Sequence, residues 1–328
     1  MKYYNPYYGQ DFFGVFYILI QRLAQFLTGQ LGFGELAPDE IQMLVLIGVG
    51  ASSAIVGCFL VLRKMTMMAN SLSHTILLGV LIAFLLSSGG SQEVEKLFEG
   101  TRLDIKSMLI ASFVIGVLTT FLTEFLTKAA KLQEDASTGI VFTSLFALGV
   151  VLVTLLTRNA HIGVEVIMGN VDALHLDDFK LVYIILAANI LFFTLFYKEF
   201  QLTTFDPAFA RAIGISAHPL NYLLMALVSA TIIGAFRAVG VLMVLAFITG
   251  PALASRVITN SLSKMLFLAV GFGVLASLLG VAVSRHILTV YGLALSTAGI
   301  VVTVTVIIYL FVMLAKSVVH SLSKSSLT

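Results

Sequence analysis

The chain has 328 residues, 59% of them hydrophobic and only 11% charged, with a mean hydropathy of +1.03. A soluble domain carries about 25% charged residues, so this composition cannot cover a water-soluble globule and describes a polytopic membrane protein. The net charge of +2 gives no reason to expect a nucleic-acid partner, and the single cysteine, Cys58, excludes a disulfide framework, a thiolate zinc site or an iron–sulfur cluster held by this chain alone.

Residues 1–40 read as an interfacial segment. Met1 to Asp11 is polar and tyrosine-rich, and the apolar stretch Phe12 to Leu27 is interrupted by Gln21, Arg22 and Gln25 and lacks a small-residue cleavage site. Tyr3, Tyr4, Tyr7, Tyr8 and Tyr17 suit headgroup depth, and Arg22 would be costly in mid-bilayer. A helix lying in the interface is therefore expected, with a first transmembrane span as the alternative.

Residues 41–315 read as a single transmembrane domain. A window of about twenty residues finds apolar runs near 41–62, 71–88, 107–127, 138–157, 181–197, 218–236, 238–256, 265–284 and 293–315. The runs at 218–236 and 238–256 are parted only by Arg237, so they form either a tight hairpin or one long and one broken helix. The expected fold is all-α with 8–10 transmembrane helices, followed by a tail over 316–328.

Basic residues set the orientation. With the segment before Ile41 outside, the inner loops and ends hold Arg63, Lys64, Lys128, Lys131, Lys198, Arg211, Arg256, Lys264, Lys316 and Lys324. The outer ones hold Lys96, Arg102, Lys106, Arg158, Arg237 and Arg285, so the carboxyl terminus is expected in the cytoplasm. Counting Lys2 and Arg22 as outer narrows that margin. The outer loops also carry most of the loop acids, among them Glu93, Glu95, Glu99, Glu165 and Asp172. In the inner stretch 198–217, Phe205 to Ile215 reads as a short amphipathic helix begun by Asp206-Pro207 and ended by Gly214.

Ionisable groups inside hydrocarbon are expensive, so each is a functional candidate. Glu124 is the one acid inside a predicted span, four residues before Lys128, and reads as an ion pair at the interface. His74 is the one histidine within an apolar run, and Asn70 precedes it by four residues, placing both on one helix face. An imidazole and an amide oxygen are reasonable ligands for a first-row dication, but they make at most half a site. The alternative is a histidine hydrogen-bonded between helices with Ser71 and Ser73 as helpers. Met65, Met67 and Met68 read as gap-filling thioethers. Gly250-Pro251 lies inside an apolar run, where proline removes a backbone hydrogen bond, so a helix break or kink is expected there. Ser53 with Gly57, and Ala276 with Gly280, mark close helix contacts.

The sequence has no G-x-x-x-x-G-K-[ST] phosphate loop, no H-E-x-x-H, no G-x-S-x-G and no paired intramembrane carboxylates. An intramembrane enzyme and an ion-coupled carrier with acidic relays are thereby disfavoured.

Four blocks resemble the permease subunits of manganese, zinc and iron ABC importers. The first runs from Gly57 through Arg63-Lys64-Met65 to Asn70-Ser71-Leu72-Ser73-His74, where the family has Gly-Asp-Ala-[Leu/Ile]-Ser-His. The others are Glu134 to Gly149, Asp206 to Gly214, and Val239 to Val244 continuing to Pro251-Ala252-Leu253-Ala254. The resemblance implies a type II ABC importer permease in the inner (cytoplasmic) membrane of a bacterium. It implies no permanently bound cofactor and a transported divalent metal ion (Mn, Zn or Fe). Its partners would be ABC ATPase subunits, which hydrolyse the ATP, an extracytoplasmic metal-binding protein, surrounding lipid and a second permease subunit. By position His74 would be a metal ligand, with Asn70 where the family has an aspartate. Asp206, Pro207, Ala210, Arg211 and Gly214 would form the segment, about 204–216, that seats on the ATPase. Gly250 and Pro251 would mark the broken helix. Asn70 offers a neutral oxygen in place of a carboxylate, Ala69 replaces a glycine, and Leu78 stands where proline is frequent. A heterodimer with a permease that keeps the acid is therefore favoured over a homodimer. A secondary carrier or channel, and a pore for a metal chelate such as a siderophore, are the alternatives.

Overall fold

The computed structural model describes residues 6–7, 9–30, 32, 36–88, 105–157, 171, 174 and 176–325. Among these residues the long elements are all helices: α1 (Phe12–Leu27), α2 (Pro38–Leu62), α3 (Thr66–Ser88), α4 (Ile105–Ala129), α5 (Glu134–Thr157), α6 (Leu176–Leu195), α7 (Tyr197–Phe205), α8 (Pro207–Ala212), α9 (Ala217–Ile258), α10 (Leu262–Tyr291) and α11 (Thr297–Ser325). Glu93, Glu95, Glu99, Glu165 and Asp172 of the two longer loops lie outside the described residues.

α2 is the central helix, buried along most of its length and packed on α6, α9 and α10. Its start follows local chemistry. Pro38 occupies the first turn, Asp39 and Glu40 place negative charge at the positive end of the helix, and the Glu40 carboxylate accepts the Ala37 N–H at 2.8 Å.

Side-chain pairs fix the direction of each neighbour. Asp39 with Arg285, the Leu46 carbonyl with Ser277, and Cys58 with the Met265 carbonyl run α10 antiparallel to α2. Ser284 beside Thr297 turns α11 back again, so α11 runs with α2. Arg63 bonds Asn221 while Ser52 and Thr231 share Asn189, so the first arm of α9 runs against α2. Its second arm runs with α11, because Gly250 packs on Thr305 and Lys316 bonds the Val257 carbonyl. The two arms of α9 are thus antiparallel. They reverse at Gly240, whose φ of 74° and ψ of 169° lie in a region essentially reserved for glycine. This resolves the run pair at 218–256 as a tight hairpin.

The expected break at Gly250-Pro251 is corrected by the same observation. The second arm stays helical through Pro251, and the non-helical torsions fall at Gly240, eleven residues earlier. A proline inside a packed membrane helix removes one hydrogen bond that neighbouring groups can replace, whereas reversal of the chain needs the freedom of a glycine.

Pro38–Leu62, Asp135–Leu152, Asp178–Leu195, Ala217–Phe236, Leu262–Tyr291 and Thr297–Val319 are each long and apolar enough to cross a membrane. α3, α4 and the second arm of α9 pack beside them in one bundle, and among the described residues six helices meet that length and hydropathy. The end that carries α1 and the Asp39–Arg285 pair is opposite the end that carries α7 and α8.

The small residues read as packing positions are tightly used. A Cβ on Gly57 would overlap the Ile248 carbonyl, one on Gly280 would overlap Val301, and the backbones of Gly50 and Gly273 nearly touch. Such approaches let membrane helices gain dispersion contact where no hydrophobic force drives them together. Asn189 ties α6, α2 and α9, donating to Ser52 at 2.6 Å and Thr231 at 2.8 Å.

α1 has 16 residues, about 24 Å of helix against a hydrocarbon core of about 30 Å. It is fastened to the bundle end: the Phe12 N–H donates to His286 Nδ1 at 3.1 Å, and Arg22 pairs with Glu40. Tyr7 also donates to Glu40, at 3.0 Å, and burial together with that neighbouring carboxylate pushes its phenol pKa up.

Candidate functional site

α3 carries Asn70 and His74 one turn apart, both half-buried, and packs on α4, α5 and α9. Two phenylalanines of α5 enclose the imidazole, with ring centroids at 5.1 Å for Phe142 and 5.3 Å for Phe146. His74 Nδ1 is buried and has no hydrogen-bond partner among the described residues. The serines do not supply one. Ser73 Oγ donates to the Asn70 carbonyl at 2.8 Å, and the buried Ser71 Oγ is itself unpaired. The inter-helix histidine bond weighed from the sequence is therefore absent among the described contacts, leaving a lone pair or N–H free for a ligand.

Among the described residues, Asn70 and His74 could make at most half a coordination sphere. No group of three or more His, Cys, Asp or Glu side chains with metal-holding geometry occurs among the described residues. His161 and His175 lie outside the described residues. Gly250 and Pro251 belong to the second arm of α9, where Gly250 meets Thr305 of α11.

The predicted short helix is present as α8, at the bundle end where α2 passes into α3. Asp206 caps it, its carboxylate accepting the Phe209 N–H at 2.9 Å, and Pro207 opens the first turn. Gly214 ends it with φ of +86°, while the Ile215 N–H donates to the Ala210 carbonyl at 2.9 Å. Ala210 is fully buried, and Arg211 Nε donates to the Pro207 carbonyl at 3.2 Å. Phe205, Phe209 and Ile213, four residues apart, are 53%, 52% and 51% exposed. Phe209 lies in α8 itself, Phe205 ends α7 and Ile213 caps α8, so large apolar side chains stand exposed on and beside the short helix.

Sequence reasoning missed the strut that joins this helix to the bundle. Arg63, just past the end of α2, donates to Thr204 at 3.0 Å, to Thr203 at 2.9 Å and to Asn221, with its guanidinium 5.7 Å from the Phe200 ring centroid. Burial lowers its pKa to about 10, which leaves it charged at neutral pH. One rigid fork thus links α2, α7 and α9 at the bundle end that carries α8. The basic pair was visible in the sequence; its partners, some 140 residues away, were not.

Glu124 pairs with Lys128 at 2.6 Å, as the spacing predicts, but it also accepts from Tyr222 at 2.8 Å and lies 3.6 Å from His218 Nδ1. Met65 and Met68 line the same cavity, of about 190 Å³.

The bundle and its likeness to known proteins together define the membrane permease subunit of an ABC transporter. The chain belongs to the ABC 3 transport family, whose model matches residues 41–316. It is 39% identical over 306 residues to the "Probable metal transport system membrane protein" of Chlamydia muridarum, covering 93% of each chain. To the manganese transport system membrane protein MntD of Bacillus subtilis it is 34% identical, covering 71% of this chain and 78% of MntD. Among solved structures, PsaBC from Streptococcus pneumoniae in complex with Fab superposes with a TM-score of 0.71 at 26% identity, over 88% of this chain and 95% of that one.

Proposed function

We propose that this chain is the pore subunit of an ATP-driven importer for a divalent first-row metal ion, with manganese the favoured cargo and zinc or iron compatible with the same ligands. The carrying observation is the buried, unpaired imidazole nitrogen of His74 inside a span of an ABC 3 permease. The names of the Chlamydia and Bacillus relatives support a metal cargo, and that of MntD supports manganese. His74 and Asn70 supply part of the coordination sphere, and a second permease subunit supplies the remainder. Because Asn70 brings no charge, that second subunit is a different chain that contributes a carboxylate, since a dication in a low-dielectric path needs compensating charge.

The α8 end faces the cytoplasm. There Phe205, Phe209 and Ile213 dock an ABC ATPase, Asp206, Pro207, Ala210, Arg211 and Gly214 hold the docking helix in shape, and Arg63 carries its movement to α2. The α1 end faces outward, α1 lies along the interface, and an extracytoplasmic metal-binding protein delivers the ion there. The protein resides in the bacterial inner membrane.

Reconstituted vesicles test this. With both permeases, the ATPase and the binding protein present, radiolabelled Mn²⁺ uptake is expected to require ATP inside the compartment where the ATPase sits. Uptake by this chain without an ATPase, driven by an ion gradient, would contradict the proposal and establish the secondary-carrier alternative.

A further inference from the structure

The cavity around Glu124 lies near the α8 end, and three elements build it: α4 gives Glu124 and Lys128, the first arm of α9 gives His218 and Tyr222, and the entry to α3 gives Met65 and Met68. Glu124 Oε1 and His218 Nδ1 are 3.6 Å apart. Two ligands of a tetrahedral ion bound at about 2.0–2.2 Å are separated by about 3.3–3.6 Å, so the pair already has the spacing of two ligands on one metal. Tyr222 holds the other carboxylate oxygen, Oε2, at 2.8 Å, which orients Oε1 toward the cavity. Thioethers beside a carboxylate and an imidazole extend the donor set to one that later first-row ions accept.

We propose that Glu124 and His218 form a second, weaker cation site on the cytoplasmic side of the path, which a divalent first-row ion occupies by displacing the Lys128 ammonium. The proposal rests on the reading that a dication passes Asn70 and His74. Met68 precedes His74 by six residues, so the cavity lies about 9 Å along α3 from the imidazole, toward the α8 end. Lys128 holds the same Oε1 at 2.6 Å, and its side chain is 66% exposed, so it swings into water at little cost when a dication arrives. Competition from the tethered ammonium keeps affinity low. A site on an exit route needs that, because an ion must be held strongly enough to enter and weakly enough to leave.

The test is Co²⁺ binding to the purified, assembled importer, read from the visible absorption of the bound ion, in a His74→Ala background that removes the mid-membrane ligand. One weak Co²⁺ is expected to remain in that background, to be lost on Glu124→Gln or His218→Gln, and to bind about fivefold more tightly on Lys128→Gln. An isotherm unchanged by Glu124→Gln or by His218→Gln overturns the site, and so does Lys128→Gln binding that is unchanged or weaker. Because Lys128 is exposed, its variant keeps the fold and reads the site even where another variant fails to assemble. The mid-membrane reading is judged separately, by Mn²⁺ uptake of His74→Ala alone.

Discussion

His74→Ala is expected to reduce the initial rate of Mn²⁺ uptake by about 100-fold or more in vesicles that contain the full importer. Disturbing a group that merely orients a ligand costs about 10–100-fold in metal affinity, and removal of the ligand itself exceeds that. Assembly is expected to survive. The imidazole makes no hydrogen bond through Nδ1, and its described ring contacts are with Phe142 and Phe146, each contact worth about 0.5–1.5 kcal/mol. Size-exclusion chromatography of the complex alongside the uptake assay separates the two effects. Uptake at the parental rate from a normally assembled complex would remove His74 from the ion path. Asn70→Asp is the informative partner, because it restores the charge the family carries at that position and is expected to strengthen metal retention.

Gly57→Val is expected to destabilise the bundle by about 3 kcal/mol or more, seen as loss of monodisperse protein and a lower melting temperature in detergent. Overpacking ordinarily costs about 1–3 kcal/mol where side chains can shift. Here the obstacle is the Ile248 backbone carbonyl in the second arm of α9, held between α2 and α11, so no rotamer change relieves it. Gly271→Ala is the control. A Cβ at Gly271 meets nothing within 4 Å, and the substitution is expected to leave the melting temperature unchanged or raise it slightly. Equal behaviour of the two variants would contradict the helix packing described here.

Much of this was legible in the residues because the bilayer is a severe solvent. A stretch such as Val45 to Leu62 has no other home than a membrane helix, so spans could be placed without tertiary information. Local chemistry also read through: Asp206-Pro207 and Gly214 start and stop α8 by capping rules that depend on neighbours only a few residues away. Four features did not read through. The hairpin was left open at Arg237, but its turn at Gly240 is a single torsion, and Pro251, the stronger sequence mark, drew the expected break eleven residues onward. The Gly50–Gly273 contact and the Arg63 strut depend on partners 223 and about 140 or more residues away, which spacing along one helix cannot reveal. At the candidate site, the i, i+4 geometry of Asn70 and His74 was evident, whereas the absence of a Ser71 or Ser73 partner for the imidazole depends on rotamers and appears only in three dimensions.

The central claim is that the His74 imidazole ligates an ion moving through a conduit shared by two permease subunits. Anomalous scattering from Mn²⁺ in crystals of the assembled importer tests it directly. A peak is expected about 2.0–2.3 Å from an imidazole nitrogen of His74, with Asn70 on the same side of the ion. A peak remote from His74, with that side chain turned to lipid or closed inside a helix contact away from the axis between the subunits, would contradict it.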